Sequence, residues 1–230
     1  MKLQNETESS RQTHGKWYDD ACGTAFALEL VGERWSLLIV RELMFGGRRF
    51  TDLRGGLPGI SAKVLTERLE SLDAAGIVQR RQLPPPAATQ VYELTRWGYA
   101  AEESIKTLGR WAASSPDHDK TLPLSPASFM LSLRTMVDES RAGDLAVTGA
   151  VHIGSDRFHV EVKDGRFRAE RGEIEAPDFT FAAPAASPIA FAVYGKPPFD
   201  SLAGMGLSVT GDRDAAGRFI DLFHLPEPIV

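Results

Sequence analysis

The segment LPGISAKVLTERLESLDAAG, residues 57–76, contains the start and stop signals of one well-defined helix. Pro58-Gly59 is typical of a tight turn. Ser61 is suited to the N-cap position, because a serine hydroxyl can accept a hydrogen bond from a free N–H group of the first helical turn. Gly76 is a fitting residue for the left-handed position after a helix. The apolar residues expected to face the core share one side of this helix: Leu65, Leu69 and Leu72.

The elements expected around this helix follow a definite order. Upstream, apolar residues at helical spacing predict two helices with a break and then a short helical stretch. Downstream, two β-rich runs flank a proline-rich turn, and a capped helix follows. Helix, helix, turn, capped helix and hairpin is the order of a winged helix-turn-helix domain. The expected elements are two helices between Ala21 and Met44 with a break at Gly32, a helical stretch at 50–54, strands at 77–83 and 90–94, and a helix from Thr95 to Trp111.

The side of the 61–76 helix that faces away from the leucines is the candidate DNA-reading surface. A helix whose N-terminal turns point outward fits the major groove, and its positive dipole end suits phosphates. Residues 48–96 carry eight basic and five acidic side chains, although the whole chain has a net charge of −5. A solvated amphipathic helix shows the same pattern in isolation, so the surrounding order of elements carries this interpretation. The predicted DNA-binding residues are Arg48, Arg49, Ser61, Ala62, Lys63, Thr66, Glu67, Arg68, Arg80 and Arg81.

The length of 230 residues suits two domains, because typical domains contain about 100–150 residues. We expect a disordered tail at 1–16, a first domain at 17–114, a polar linker at 115–121 and a second domain at 122–230. The tail lacks the apolar middle of a secretory signal, and no apolar run approaches the roughly 20 residues that cross a bilayer. The single cysteine, Cys22, forms no internal disulfide, as is usual in a reducing cytosol. These features predict a cytoplasmic protein with no membrane span.

The second half has the pattern of a smaller α+β domain. Ser125-Pro126 predicts the start of a helix, and strand-like runs follow it. Asp164-Gly165 between alternating segments is a strong hairpin signal, and Asp212 is placed to cap a final helix. We therefore expect an antiparallel sheet covered by helices, which makes the whole chain an α+β protein.

The first half also resembles a known family, through Cys22, LVGERWSLLI at 30–39, REL at 41–43, GGRRF at 46–50, LPGIS at 57–61 and VLTERL at 64–69. Over roughly residues 20–113 these motifs resemble the HxlR-type winged-helix transcriptional regulators. The resemblance implies binding to double-stranded DNA as a homodimer. It also implies a subunit interface formed by the first helix and the 97–111 helix, with Lys63, Thr66 and Arg68 near bases or phosphates.

The wing departs from the family pattern at its tip. Where such proteins often carry an arginine, this chain has Ala87-Ala88-Thr89. Arg80 and Arg81 on the first wing strand are the expected substitutes.

Cys22 stands where the family keeps an N-terminal cysteine that in some members senses oxidants or electrophiles. Asp19 and Asp20 lie beside it, and negative charge raises the pKa of a thiol, which works against reactivity. The sequence therefore favours a structural, partly buried thiol and leaves a redox switch as the alternative.

The second half resembles an SCP2-type sterol-carrier domain over about residues 145–225, through the 164–165 hairpin, the segment 172–182 and the helix at 211–223. This resemblance implies a hydrophobic tunnel that holds a lipid or another apolar molecule. Without it, the same aromatic residues are better explained as core than as the lining of a cavity. The candidate ligand-binding residues are Phe181, Phe191, Tyr194, Phe199, Met205, Phe219 and Phe223.

The sequence contains no motif that indicates an enzyme. His152 and His159 could face each other across a turn and bind a metal, but no third ligand follows at suitable spacing, so we expect no metal and no cofactor. We interpret the chain as a DNA-binding regulator, most simply a repressor, controlled by an apolar molecule bound in the second domain. Two alternatives remain: a non-enzymatic lipid or small-molecule carrier that uses the winged helix for dimerisation, and a redox-sensing regulator that acts through Cys22.

Overall fold

The computed structural model describes residues 18–229, and the chain divides into two compact units, Met1–Ala101 and Glu102–Val230. The sequence predicts a later boundary, with a linker at 115–121. The helix Glu102–Ala113 lies with the second unit because its side chains bond to the next helix there: Arg134 is 3.0 Å from the Glu102 carboxylate. The linker stays a prediction, and the predicted tail at 1–16 lies outside the described residues.

The first unit has the predicted order of helices followed by a hairpin. The two strands pair antiparallel, with Val78 opposite Leu94, and Arg48 forms an additional bridge to Tyr92. This arrangement confirms the winged helix-turn-helix expected from the sequence. Its elements are α1 (Gly23–Val31), α2 (Ser36–Leu43), α3 (Phe50–Gly56), α4 (Ala62–Ala74), β1 (Val78–Gln82), β2 (Gln90–Leu94) and α5 (Arg96–Ala100).

The local signals of α4 act as expected. The Ser61 hydroxyl accepts a hydrogen bond from the Val64 N–H at 3.2 Å, and Gly76 adopts φ +69° after the helix. The predicted leucine face is buried against α2, and both helices contribute side chains that are at most 1% exposed: Ile39, Val40, Leu43, Leu65, Leu69 and Leu72. This packing leaves the opposite face of α4 open.

The single helix predicted from Thr95 to Trp111 is divided at Ala101. Thr95 caps α5 by accepting from the Gly98 N–H at 3.1 Å, and α6 (Glu102–Ala113) follows as a separate helix. Trp97 on α5 is 51% exposed and Trp111 on α6 is 70% exposed. The two tryptophans of this region therefore lie at the surface rather than in the core.

The second unit is an α+β domain. Its predicted caps are confirmed, since the Ser125 hydroxyl accepts from the Ser128 N–H at 3.0 Å and the Asp212 carboxylate accepts from the Ala215 N–H at 2.9 Å. Besides α6, its elements are α7 (Pro126–Met136), β3 (Val147–Ile153), β4 (Asp156–Lys163), β5 (Arg166–Arg171), β6 (Phe179–Ala183), α8 (Ala186–Ala190), β7 (Ser208–Gly211) and α9 (Arg213–Ile220), with a π-helical segment at Phe191–Gly195 and 3-10 turns at Glu139–Arg141 and Phe199–Met205.

The sheet of this unit is mixed, so the prediction of an antiparallel sheet is wrong at one position. The strand order is β5-β4-β3-β6-β7, and β3 pairs with β6 in parallel. The 164–165 hairpin forms as predicted, with positive φ at both Asp164 and Gly165. The next connection, 172–178, carries the chain to the other side of β3. Asp178 holds it there, because its carboxylate accepts from the Thr148 N–H at 2.7 Å.

The core of the second unit is built from phenylalanines. Phe179 and Phe181 on β6 pack with ring centroids 5.1 Å apart, and Phe219 on α9 lies 5.1 Å from Phe179. Gly149 on β3 leaves room for Phe179, because a Cβ at this glycine would collide with the ring. The aromatic rings thus fill the space between sheet and helix.

Among the described residues, the helices are too short or too polar to span a membrane.

Candidate nucleic-acid interface

The outer face of α4 is exposed along the predicted DNA-reading surface. The exposed residues of its first two turns are Ser61, Ala62, Lys63, Thr66 and Glu67. Lys63 is 86% exposed, and its ammonium lies 3.8 Å from the Glu67 carboxylate. A pair this exposed contributes about 0.2–1 kcal/mol at most, so a phosphate can displace it. The helix therefore presents a hydroxyl, an ammonium and a carboxylate next to its free N-terminal N–H groups.

Arg68 lies differently from the other predicted contacts. Its guanidinium is 3.1 Å from the Glu33 carboxylate and its side chain is only 23% exposed. Within residues 18–229 its buried Nε atom has no hydrogen-bond partner. Arg68 thus ties α4 to the α1–α2 corner, which leaves less of its charge for a base or a phosphate.

The α1–α2 corner is a part of the site that sequence reasoning missed. Trp35 adopts φ +83° at the N-cap of α2, a conformation that costs a residue other than glycine about 1–3 kcal/mol. Its ring reaches the turn before α4, since a Cβ on Gly59 would lie 3.9 Å from it, and the Arg34 guanidinium lies 5.3 Å from the centre of the Trp35 ring. Glu33 and Trp35 thus contact α4 and the turn before it. In the sequence, the helix break predicted at Gly32 was the signal that could have indicated this corner.

The two wing arginines are both paired with acids. Arg81 lies 2.7 Å from Glu93 on the neighbouring strand. Arg80 lies 3.4 Å from Asp73 and 5.8 Å from the centre of the Tyr92 ring. Both guanidinium groups remain about half exposed, at 45% and 52%. The wing is therefore less positively charged than its sequence indicates, although exposed pairs can exchange their acid for a phosphate.

Arg48 and Arg49 lie in the loop between α2 and α3, which precedes α4 in the chain. The Arg48 backbone bonds to Tyr92 in both directions at 2.8 Å, which anchors this loop to the wing. Arg49 is exposed at the N-cap position of α3. The loop thus holds Arg49 at the surface.

Cys22 is exposed and occupies the N-cap position of α1. Hydrogen bonds from the backbone N–H groups of Thr24 and Ala25 lower the pKa of the thiol below its ordinary value. Two expectations from the sequence are therefore wrong: the thiol is exposed rather than partly buried, and its pKa is lowered rather than raised. Backbone donors at a helix start stabilise the thiolate directly, whereas exposed carboxylates act through water.

The predicted ligand-binding residues divide into two groups. Phe181, Phe219 and Phe223 are at most 1% exposed and in ring contact, with Phe219 and Phe223 5.0 Å apart. Phe199 is half-buried beside Phe181, at 5.7 Å between ring centroids. Phe191 and Met205 are instead 43% and 44% exposed. The structure does not bring these residues together around one space.

Tyr194 belongs to the same predicted set but has a polar partner. Its hydroxyl lies 2.6 Å from the Ser132 hydroxyl on α7, and burial raises the pKa of the phenol. This bond satisfies the buried hydroxyl within the core. An apolar ligand site built on these residues stays a prediction.

The histidine pair considered from the sequence does not form. The β3–β4 register places His152 opposite Arg157 and His159 opposite Ala150. Each imidazole instead has a glutamate nearby: Glu173 at 3.6 Å from His152 and Glu170 at 3.7 Å from His159. Over residues 18–229, no three side chains of the histidine, cysteine, aspartate and glutamate types are grouped to hold a metal ion.

A capped helix exposed along its outer face, followed by a two-stranded wing, defines the class of winged helix-turn-helix domains. A profile described as the HxlR-like helix-turn-helix matches residues 30–120. The HTH-type transcriptional regulator YvaP of Bacillus subtilis is 35% identical over 86 residues, which are 37% of this chain and 80% of YvaP. YodB, an HTH-type transcriptional regulator of the same organism, is 38% identical over 86 residues, 37% of this chain and 77% of YodB. The chain belongs to the HxlR-like helix-turn-helix family.

A crystal structure of the quinone-bound YodB from B. subtilis is also similar, with 35% identity, coverage of 39% of this chain and 93% of that chain, and a TM-score of 0.35. The family match ends at residue 120. The resemblance of the second unit to sterol-carrier domains therefore stays a prediction.

Proposed function

We propose that this protein is a dimeric transcriptional repressor that inserts α4 into the major groove of DNA. The observation that carries the proposal is the open face of α4, where Lys63 and Thr66 are exposed beside a capped helix N-terminus. The N-terminal N–H groups and helix dipole favour phosphate, and the side chains of the first turns are those that reach base edges in this class. The wing arginines add contacts when a phosphate displaces their acidic partners.

Dimerisation is supported by large apolar side chains that remain exposed on three helices. In α1, Phe26 and Leu28 are 43% and 49% exposed. In α6, Leu108 and Trp111 are 47% and 70% exposed, and Trp97 in α5 is 51% exposed. Exposed apolar side chains of this size are typical of protein interfaces. A two-fold dimer would present two copies of α4 about one DNA turn apart.

Binding of DNA is tested by selecting duplexes from a random pool and measuring affinity against salt concentration. We expect affinity to fall steeply with salt, and Lys63→Ala to reduce the slope of log affinity against log salt by about one, because one phosphate contact is lost. Lys163→Ala is the matched control, since Lys163 is exposed on the second unit. Failure to enrich any duplex, or equal slopes for the two variants, would contradict the proposal.

We further propose that the second unit binds a small molecule that alters DNA affinity. The support is that both units belong to one chain. A ligand bound to the second unit can therefore change how the two DNA-binding units of the proposed dimer are arranged. Linkage is reciprocal, so operator DNA must change the ligand affinity by the same factor.

A second candidate function, a thiol-responsive regulator, is favoured by the exposed Cys22 with its lowered pKa. Two such thiols, one from each copy, can lose two protons and two electrons to an oxidant such as diamide and form one disulfide. We expect diamide to change the DNA affinity of the wild-type protein and dithiothreitol to restore it. The Cys22→Ser variant should not respond. An equal response of the variant would eliminate this candidate.

A further inference from the structure

A polar cleft lies within the second unit, at the margin of the aromatic core. Its volume is about 560 Å³, which falls in the roughly 300–1,000 Å³ range of small-molecule sites. Side chains of α6, the end of α7 and β5 line it. These elements pack on one another, so the cleft is part of the folded unit rather than a loop surface.

Cationic side chains converge on this cleft from three elements. Lys106 and Arg110 are one turn apart on α6, Arg134 comes from α7, and Arg166 and Arg168 alternate along β5. Alternate residues of a strand point to the same side, and residues four apart on a helix share a face. The two residues on α6 thus share one face, the two on β5 share another, and all five cationic residues line the cleft.

Three of the four acids that line the cleft are engaged by neighbouring groups, and the fourth, Glu170, is exposed and lies 3.7 Å from the His159 imidazole. Glu102 pairs with Arg134 at 3.0 Å. Glu139 accepts from the Phe167 N–H at 2.9 Å and lies 3.4 Å from Arg166. Asp138 accepts from the Ser140 hydroxyl at 2.6 Å, which holds the pKa of that carboxyl below its usual value.

Two of the cations have no carboxylate bonded to them. Arg110 donates to the carbonyl oxygen of Thr135, a neutral acceptor. Arg168 is exposed and has no ion-pair partner in the part of the chain that the structure describes. Guanidinium groups favour carboxylates and phosphates, which they bind through paired N–H donors. These two guanidinium groups therefore suit the cleft to an anion.

The cleft also has an apolar wall. Phe167 is half-buried and packs on Phe223 at 5.2 Å between ring centroids, and Val137 and Ala169 lie beside it in the lining. Phe167 and Arg168 are consecutive in the edge strand β5, so the ring and the guanidinium reach the cleft from opposite faces of that strand. Such a lining suits a ligand with an apolar body and one negative end.

We propose that this cleft binds a small organic anion, an aromatic or similarly apolar carboxylate, through Arg110 and Arg168. The site differs from the predicted apolar site in the aromatic core both in place and in ligand class. If the chain dimerises as proposed above, the site also suggests how ligand binding could affect dimerisation. Helix α6 carries Lys106 and Arg110 toward the cleft and exposes Leu108 and Trp111 elsewhere, so an anion that orders α6 orders an apolar surface available for pairing.

Calorimetric titration of the full chain with benzoate, without DNA, tests this proposal independently of DNA binding. We expect saturable binding that weakens at least about tenfold in Arg168→Gln and in Arg110→Gln, because a charge-assisted hydrogen bond is lost. Arg218→Gln, an exposed position on α9, is the control and should bind benzoate as the wild type does. If Arg110→Gln fails to fold, the exposed Arg168 position decides the result alone.

Two further probes define the ligand class. Benzyl alcohol, which has the ring without the charge, and inorganic phosphate, which has the charge without the ring, should each bind at least about tenfold more weakly than benzoate. The proposal is overturned by any of three results: no saturable benzoate binding, benzoate binding unchanged in Arg168→Gln, or equal affinity for benzoate and either probe.

Discussion

At the scale of single residues, the backbone decides the chemistry of Cys22. Its neighbours in sequence are aspartates, which by themselves raise the pKa of a thiol. The fold instead places the thiol at the start of α1, where N–H groups of Thr24 and Ala25 bond to it and lower its pKa. Hydrogen bonds to the charged form act at short range, whereas exposed charges are screened by water. A helix terminus can thus outweigh neighbouring acids in setting the pKa of a thiol.

This arrangement predicts that Cys22 reacts at lower pH than an ordinary cysteine. Only the thiolate reacts with iodoacetamide, and a lowered pKa means a larger thiolate fraction at any pH below the ordinary value. The rate of alkylation, followed by intact mass, should rise with pH and level off earlier for the folded protein than for the same protein in urea. A midpoint that is equal or higher in the folded state would refute the effect.

For Arg68, in contrast to Cys22, the fold reduces the chemical role that the sequence predicts. Its position on α4 indicates DNA contact, but its guanidinium pairs with Glu33 at 3.1 Å. Together with Trp35, this pair makes the α1–α2 corner the support of the reading helix. Arg68 therefore acts by placing α4 as well as by its charge.

At the scale of elements, helix caps determine where the functional surfaces begin. The Ser61 hydroxyl ends the turn and starts α4, so the first turn of α4 carries both the free N–H groups and Lys63. The residue that caps the helix thus also determines which side chains lie in the first turn of the predicted DNA-reading face.

We predict that Ser61→Ala destabilises the protein by about 1 kcal/mol, because the Val64 N–H loses its acceptor. Urea unfolding followed by circular dichroism measures the change. Ser71→Ala, inside α4, is the matched control and should be neutral or slightly stabilising, since alanine is the better residue in a helix interior. Equal destabilisation by the two substitutions would show that the cap contributes nothing of its own.

At the scale of the whole molecule, several large apolar side chains remain exposed to solvent. Trp97 and Trp111 are 51% and 70% exposed, one in each unit. Burying such side chains against a second copy is favourable by about 25 cal/mol per Å² of apolar surface. We expect the exposed side chains of the helices at 96–113 to supply the contacts of the proposed dimer.

We expect light scattering with size exclusion to show a dimer for the wild type and a monomer, or a dimer weakened at least about tenfold, for Trp111→Asp. A buried aspartate without a partner opposes association. Leu122→Asp is the control, because Leu122 is also exposed, at 64%, but lies outside the helices. A monomeric wild type, or a dimer that survives Trp111→Asp unchanged, would contradict the proposed interface.

The sequence by itself determined the features that depend on neighbours along the chain. Ser61, Thr95, Ser125 and Asp212 were recognisable as caps, and the Asp164-Gly165 turn as a hairpin, because each interaction spans only a few residues. The order of these elements was sufficient to predict the winged helix-turn-helix domain. It also identified the exposed face of α4, since the spacing of the leucines leaves one side free.

Only the tertiary structure decided the features that join distant residues. The parallel pairing of β3 with β6, the Arg68–Glu33 pair and the filling of the second unit by phenylalanine rings all depend on packing that no local pattern contains. The same holds for the polar cleft, which gathers cations from α6, α7 and β5. A side chain's type limits what it can bind, but the neighbours that the fold brings to it determine whether its charge is already neutralised.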